Sequence, residues 1–302
     1  MKLGLILPLF SGDLEKVRAT AERAEAAGYD GVFVFDHFFP PGGSPDRPSL
    51  EAFATLALIG SATSHITVGT LVTRASLRPA AMLAKAGATI DDVTGGRLVL
   101  GIGTGDPIDR PEHEAFGFDS LGVRERREHL AETVDALKGL FGGRGYPGGR
   151  WVPPMSGPLA PPPARPGGPP LWLGAQSDEV VRLAGRTADG WNGWGLDPAM
   201  FRTKASVLAE AADGAGRAGA VEATWAGIAL VGEDDGEAAD LMAARRAKGM
   251  PADGVWSGGV DRFLGFLRDL EESAGTWTVL VPAGPPDRID LIADRVLPAL
   301  AR

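Results

Sequence analysis

Lys2–Phe35 reads KLGLILPLFSGDLEKVRATAERAEAAGYDGVFVF, and this stretch decides the fold. Lys2–Phe10 is a continuous apolar run closed by Ser11-Gly12, the pattern of a strand covered on both faces. Leu14–Gly28 then puts Leu14, Val17, Ala21 and Ala24 on one helical face, with Gly28 where a helix C-terminus belongs. Gly31–Phe35 (GVFVF) is a second buried strand. Strand, helix and strand in about 35 residues make a βαβ unit, which favours parallel pairing.

The unit repeats along the chain. Leu50–Ser64 reads as a helix and Ile66–Val72 as a third strand. A helix over Pro79–Thr94 ends at Gly95-Gly96, and Arg97–Ile102 is a fourth strand. Leu121–Phe141 is a long amphipathic helix. A Pro/Gly-rich excursion over Gly142–Pro170 exceeds ordinary connection lengths and is expected at the surface, as a flap or insertion. Leu171–Gly174, Gly190–Asn192, Thr224–Val231 and Thr276–Val281 supply strands five to eight. Helices are expected over Asp178–Thr187, Pro198–Gly214, Asp235–Lys248 and Val260–Ser273, and Pro286–Leu300 closes the chain. The expectation is an α/β fold: a (β/α)₈ TIM-type barrel forming one domain over 1–302, with an insertion between the fourth helix and fifth strand. Periodicity does not show closure, so an open doubly wound sheet is the alternative.

Composition narrows the function classes. The net charge of −9 speaks against a nucleic-acid or membrane surface, which needs a concentrated basic face. With no cysteine, disulfides, thiolate metal sites and thiol catalysis are excluded. The four histidines, His37, His65, His113 and His129, include no i, i+4 pair, so no metal is expected. The apolar start is too short for a signal peptide and is broken by Pro8, which makes the cytoplasm the default location.

In such a barrel the residues just after each strand converge on one mouth. Those positions are Asp36-His37-Phe38, Thr73-Arg74, Gly103-Thr104-Gly105-Asp106, Gly174-Ala175-Gln176-Ser177, Trp191-Asn192-Gly193-Trp194 and Pro282-Ala283-Gly284. Gly101–Gly105 (GIGTG) is a poor dinucleotide fingerprint, because its third glycine is misplaced and Pro107 follows. It reads either as a floor from which side chains are removed so that a flat ring can approach, or as a plain turn. Gly174–Ser177 leads into a helix whose free N–H groups could hold a phosphate; simple capping by Ser177 explains it equally well. His37 follows an apolar strand, the place where barrel enzymes put catalytic groups, whereas a lone histidine elsewhere is more often structural. Asp36 could equally hold its own loop.

At these residues the sequence resembles the luciferase-like monooxygenase superfamily over nearly its whole length. The blocks are LGLILP, AERAEAAGYDGVFVFDHF, ATSHITVGTLVT, LAKAGATIDDVTGGRLVLGIGTGD, PPLWLGAQSDEVVRLAGRTADGWN and TWTVLVPAGPPDRIDLIAD, in order and with barrel spacing. The resemblance implies a barrel with an insertion that binds FMN or the deazaflavin coenzyme F420 across its mouth. Asp36-His37 and the GTG-acid turn are similar to the F420-dependent branch, which makes His37 and Asp106 the implied catalytic pair. Asp106 is one methylene shorter than the usual Glu and is followed by Pro107. The coenzyme would be held by Asp36, Leu71, Val72, Thr73, Gly103, Thr104, Gly105 and Gly174–Ser177 (Gly174, Ala175, Gln176, Ser177). A non-prolyl cis peptide is implied at Leu71–Val72. Substrate would lie near Phe38, Trp191, Trp194 and the 142–170 excursion. With no Lys/Arg cluster among the mouth positions, a neutral, moderately hydrophobic substrate is expected. The resemblance thus implies hydride transfer between a small organic substrate and F420. The alternatives are an FMN-dependent monooxygenase fed by a separate reductase and a coenzyme-binding barrel without turnover. It also implies a homodimer, for which helix 79–94 is rich in small and apolar residues.

Overall fold

The computed structural model describes residues 1–300. Its parallel strands run β1 (Lys2–Ile6), β2 (Gly31–Val34), β3 (Thr67–Arg74), β4 (Leu98–Gly103), β5 (Leu171–Gly174), β6 (Gly190–Trp194), β7 (Glu222–Gly232), β8 (Val255–Gly259) and β9 (Gly275–Pro282). Each of β1 to β6 pairs with the next, β6 pairs with β7, β7 with β9, and β9 returns to β1. The barrel is therefore closed, and the eighth barrel strand is β9. The sequence reading missed β8. This strand pairs with the last residues of β7, Ile228–Gly232, which extend past the Glu222–Ala226 part of β7 bonded to β6. Its short, half-exposed Val-Trp-Ser-Gly-Gly carries little apolar signal.

Local chemistry sets the elements. Helix α1 (Leu14–Ala26) starts where Asp13 accepts from Lys16 N and buries Val17, Ala21 and Ala24. Its end is a Schellman motif: Tyr29 N donates to Ala24 O and Gly28 N to Glu25 O. Gly28 takes φ +88 there, a conformation that an L side chain would resist. Helices α2 (Ala52–Ala62) and α3 (Ala80–Val93) follow β2 and β3. After β4 comes a short α4 (Arg110–Phe116), to which the sequence reading assigns no element, and then α5 (Val123–Phe141). Helices α6 (Asp178–Thr187), α7 (Pro198–Gly214), α8 (Asp235–Ala247), α9 (Val260–Glu272), α10 (Arg288–Arg295) and α11 (Leu297–Leu300) complete the outer layer. None of the described helices is long and apolar enough to cross a membrane.

Inside the barrel, large aromatics fill the end from which the strands start. Phe33, Trp172 and Trp277 have ring centroids 5.6–5.8 Å apart. Their space comes from glycines on neighbouring strands: a Cβ on Gly31 would lie 2.8 Å from Phe33 and 2.9 Å from Trp277, and one on Gly190 would lie 2.4 Å from Trp172. This aromatic floor closes the barrel from below.

The 142–170 excursion leaves α5 at the floor end of the barrel and runs back along the outside of that helix, where Arg150 pairs with Glu128 at 3.3 Å. Glu132 of α5 clasps it by accepting from the backbone N–H groups of Arg150, Trp151 and Val152 at 2.8–2.9 Å. Arg165 pairs with the fully buried Asp91 of α3 at 2.7 Å. None of its residues lines the mouth cavity, which corrects its expected place beside the substrate. Helix-to-strand connections emerge at the end opposite the mouth, and this one packs along α5 without entering the cavity.

Candidate functional site

The site is built at the ends of β2, β3 and β4. Asp36 leaves β2 turned away from the mouth. Its carboxylate accepts from Thr73 Oγ1 at 2.5 Å and from both terminal nitrogens of Arg78 at 2.5 and 3.1 Å. Burial pulls the Arg78 guanidinium down, but bonding to Asp36 and Glu51 outweighs that and holds it above its ordinary value. Asp36 and Thr73 are buried and do not line the cavity. They brace the loop that carries the next residue.

That residue, His37, lines the cavity against the rings of Phe10 and Phe35, 6.1 and 6.2 Å away. Its Nδ1 lies 2.7 Å from Glu112 Oε1 and 3.8 Å from Asp109 Oδ1. Glu112, 1% exposed, also accepts from Arg74 Nη2 at 2.5 Å and from Phe38 N at 3.2 Å. Arg74 Nη1 stands 3.7 Å from Asp109 Oδ2. Burial pushes the Glu112 carboxyl up, yet the hydrogen bond and charge of His37, with Arg74, hold it below its usual range. His37, Asp109 and Glu112 offer ligand atoms within 4.8 Å of one another, a spacing that a cation could use. Arg74 already brings positive charge to both carboxylates, so the cluster is an ion-pair network as it stands.

The carboxylate of Asp106 lies apart from this network. The residue is exposed at the cavity rim, its carboxylate accepts from Ile108 N at 3.4 Å, and its N–H donates to Asp109 Oδ2 at 2.7 Å. The acids beside His37 are thus Glu112 and Asp109, which the sequence reading missed. One signal was available: in Asp109-Arg-Pro-Glu112 the two acids stand three apart, on one helical face next to a barrel strand. Arg74 had been placed at the mouth without a role.

The opposite wall is made of small residues. Leu71–Val72 is a cis peptide, as expected, at a register shift between β3 and β4. The Val72 side chain rests where Gly103 and Gly174 lack one; a Cβ there would come within 2.7 and 2.9 Å of it. The glycines at the ends of β4 and β5 therefore make room for Val72, which then presents an apolar ledge to the cavity. Beyond it, Gly174, Ala175, Gln176 and Ser177 all line the mouth at the start of α6. The Ser177 hydroxyl makes no capping bond. The acids of the first turn are engaged elsewhere, Asp178 with Lys204 at 2.5 Å and Glu179 with Arg127 at 3.2 Å. Free first-turn N–H groups with their acids neutralised are favourable to an anion.

The structure gathers His37, Asp106, Leu71, Val72, Gly103, Thr104, Gly105, Gly174–Ser177 and Trp194 around one cavity of about 1300 Å³. Two expected pocket residues are elsewhere. Trp191 is fully buried on the outer face of β6, stacked on Phe201 of α7, because side chains alternate and Asn192 and Trp194 take the inward places. Phe38 is 41% exposed and stacks on Phe116 at 4.4 Å, outside the cavity, since the loop turns it toward α4. The expected lack of basic residues also needs correction: Arg126 and Arg127 reach the lining because the first turns of α5 border the mouth, and Arg74 joins them from β3.

A sequence profile of the family described as luciferase-like monooxygenase matches residues 1–284. The chain belongs to the luciferase-like monooxygenase family. Within it, the chain is 32% identical over 248 residues to an F420-dependent hydroxymycolic acid dehydrogenase of Mycobacterium tuberculosis, covering 79% of this chain and 66% of that one. It is 28% identical over 207 residues to a 5,10-methylenetetrahydromethanopterin reductase of Methanolobus tindarius, covering 67% and 57%. The match thus spans less than two thirds of each relative's own length. An F420-dependent secondary alcohol dehydrogenase, solved in complex with an F420–acetone adduct, superimposes with TM-score 0.85 over 99% of this chain and 98% of that one. At 19% identity that likeness shows a shared fold.

Proposed function

We propose that this luciferase-like protein is an oxidoreductase that passes a hydride between a small alcohol or carbonyl substrate and the deazaflavin coenzyme F420. The observation that carries the reading is the mouth itself: one cavity has an apolar ledge and an anion-favouring helix start on one side and His37 on the other. Its volume exceeds the roughly 300–1,000 Å³ of ordinary small-molecule pockets, leaving room for a coenzyme ring and a substrate together. The relative named as F420-dependent supports the choice of coenzyme.

The residues fit such a group. Val72 and Leu71 offer a flat apolar support beside the Gly103–Gly105 backbone, and Gly174–Ser177 with Arg126 and Arg127 a place for an anionic tail. When bound, the coenzyme supplies the hydride acceptor or donor, and the protein does the rest. Ile6, Phe35, Trp194, Ile228 and Val281 keep the substrate side dry. His37 takes the hydroxyl proton as the substrate carbon gives up its hydride and the carbonyl forms, and returns it in the reverse direction. Asp106 at the rim is a candidate second proton carrier. The test is the deazaflavin absorbance on mixing protein, coenzyme and a panel of secondary alcohols. Bleaching with at least one alcohol is expected, and binding without any redox change would reduce the chain to a coenzyme carrier.

The proposal extends to self-association through α3, whose outer face exposes Met82 and Val93. Light scattering of the protein and of Met82→Glu checks it: a dimer that the substitution dissociates supports it, and a monomer at micromolar concentration removes it.

A further inference from the structure

Resting on that reading of His37, we propose that Glu112 is a positioning residue that fixes the imidazole in its Nδ1–H tautomer, with Arg74 and Asp109 holding Glu112 and the developing charge in place. Glu112 is 1% exposed and Arg74 3%, and a buried carboxylate held ionised by Arg74 can only accept. The hydrogen between His37 Nδ1 and Glu112 Oε1, 2.7 Å apart, therefore sits on the histidine. Among the described residues Nε2 has no hydrogen-bond partner, and His37 lines the cavity. Nε2 is thus the nitrogen left with a lone pair for a substrate proton. Once it takes that proton, the imidazolium stands beside Glu112 and Asp109, two carboxylates against the single guanidinium of Arg74. Phe38 N donates to the second Glu112 oxygen, so the carboxylate is gripped on both atoms and cannot swing away from the ring.

The chemistry of the amide gives the test. In Glu112→Gln the side-chain oxygen still accepts from Arg74 and Phe38 N, which leaves the NH₂ group to donate to His37 Nδ1. That forces the hydrogen onto Nε2, the wrong tautomer for accepting a proton from substrate. Imidazole nitrogen-15 spectra of the unliganded protein, with His37 assigned by its loss in His37→Ala, read the tautomer directly. The wild type is expected as Nδ1–H, Glu112→Gln as Nε2–H, and Glu112→Asp as Nδ1–H again. Turnover is expected to fall by about 10²–10⁴-fold in Glu112→Gln, to recover in part in Glu112→Asp, and to leave coenzyme Kd within about twofold. A wild-type Nε2–H tautomer, or an unchanged tautomer in Glu112→Gln, overturns the proposal. So does full turnover in that variant. Because the spectra need no coenzyme, failure of the F420 reading shows separately, as absence of coenzyme binding.

Discussion

The two ends of the barrel are made from the same strands and do opposite things. At the floor, Phe33, Trp172 and Trp277 occupy space cleared by glycines and pack ring against ring, with the Trp172 indole N–H left without a partner among the described residues. At the mouth, the inward positions further along those strands are Phe35, Gly174 and Val281, and they enclose an open cavity bordered by a buried ionic network. In both places a glycine stands where a neighbour needs room. At the floor the neighbour fills the barrel, whereas at the mouth Val72 fills only a ledge. The floor should therefore govern stability and the mouth chemistry, with little overlap.

The largest expected effect breaks the mouth without touching the floor. His37→Ala should lower turnover by about 10²–10⁴-fold, equivalent to about 3–5 kcal/mol of transition-state stabilisation, with melting temperature and coenzyme affinity nearly unchanged. A fall in melting temperature with activity per folded molecule preserved would assign His37 to structure. The converse variant, Trp172→Ala, should cost about 3–5 kcal/mol of stability by chemical denaturation. Coenzyme Kd measured on the folded fraction should stay put; a large loss of affinity would show the two ends to be coupled.

A smaller effect sharpens the account of the floor. Gly31→Ala pushes a methyl group toward Phe33 and Trp277, at 2.8 and 2.9 Å, and should cost about 1–3 kcal/mol through overpacking. Pairing it with Phe33→Leu should recover part of that loss. Smallest is the pH effect at the mouth. The folded Glu112 carboxyl lies below its ordinary value, so its contribution is present above the unfolded value of about 4.3 and is lost as pH falls through the lower folded value. Over that acid window Glu112→Gln should lose stability less steeply than the wild type; parallel curves would mean that the carboxylate contributes nothing there.

The barrel was legible because each strand is an apolar run and each helix has one apolar face, a pattern that survives without tertiary information. Loops flanking the strands located the mouth for the same reason. What escaped depended on parity and on distance along the chain. Trp191 and Trp194 differ only in which side of β6 they take, and a five-residue strand of Gly-Trp-Asn-Gly-Trp gives no apolar alternation to decide it. Glu112 is 75 residues from His37 and reaches it only because α4 packs against the loop that follows β2. The place of the 142–170 excursion could have been inferred, since it precedes a strand rather than following one.

The central claim is that the mouth holds a deazaflavin, and an equilibrium titration tests it most directly. Tryptophan fluorescence is followed while F420 and, separately, FMN are added, with Trp194 at the cavity as the reporter and Trp194→Phe as control. The account predicts saturable quenching by F420 at a Kd at least about tenfold below that of FMN, a difference of about 1.4 kcal/mol, with most of the quench lost in the control. Tighter binding of FMN, with no response to F420, would contradict it.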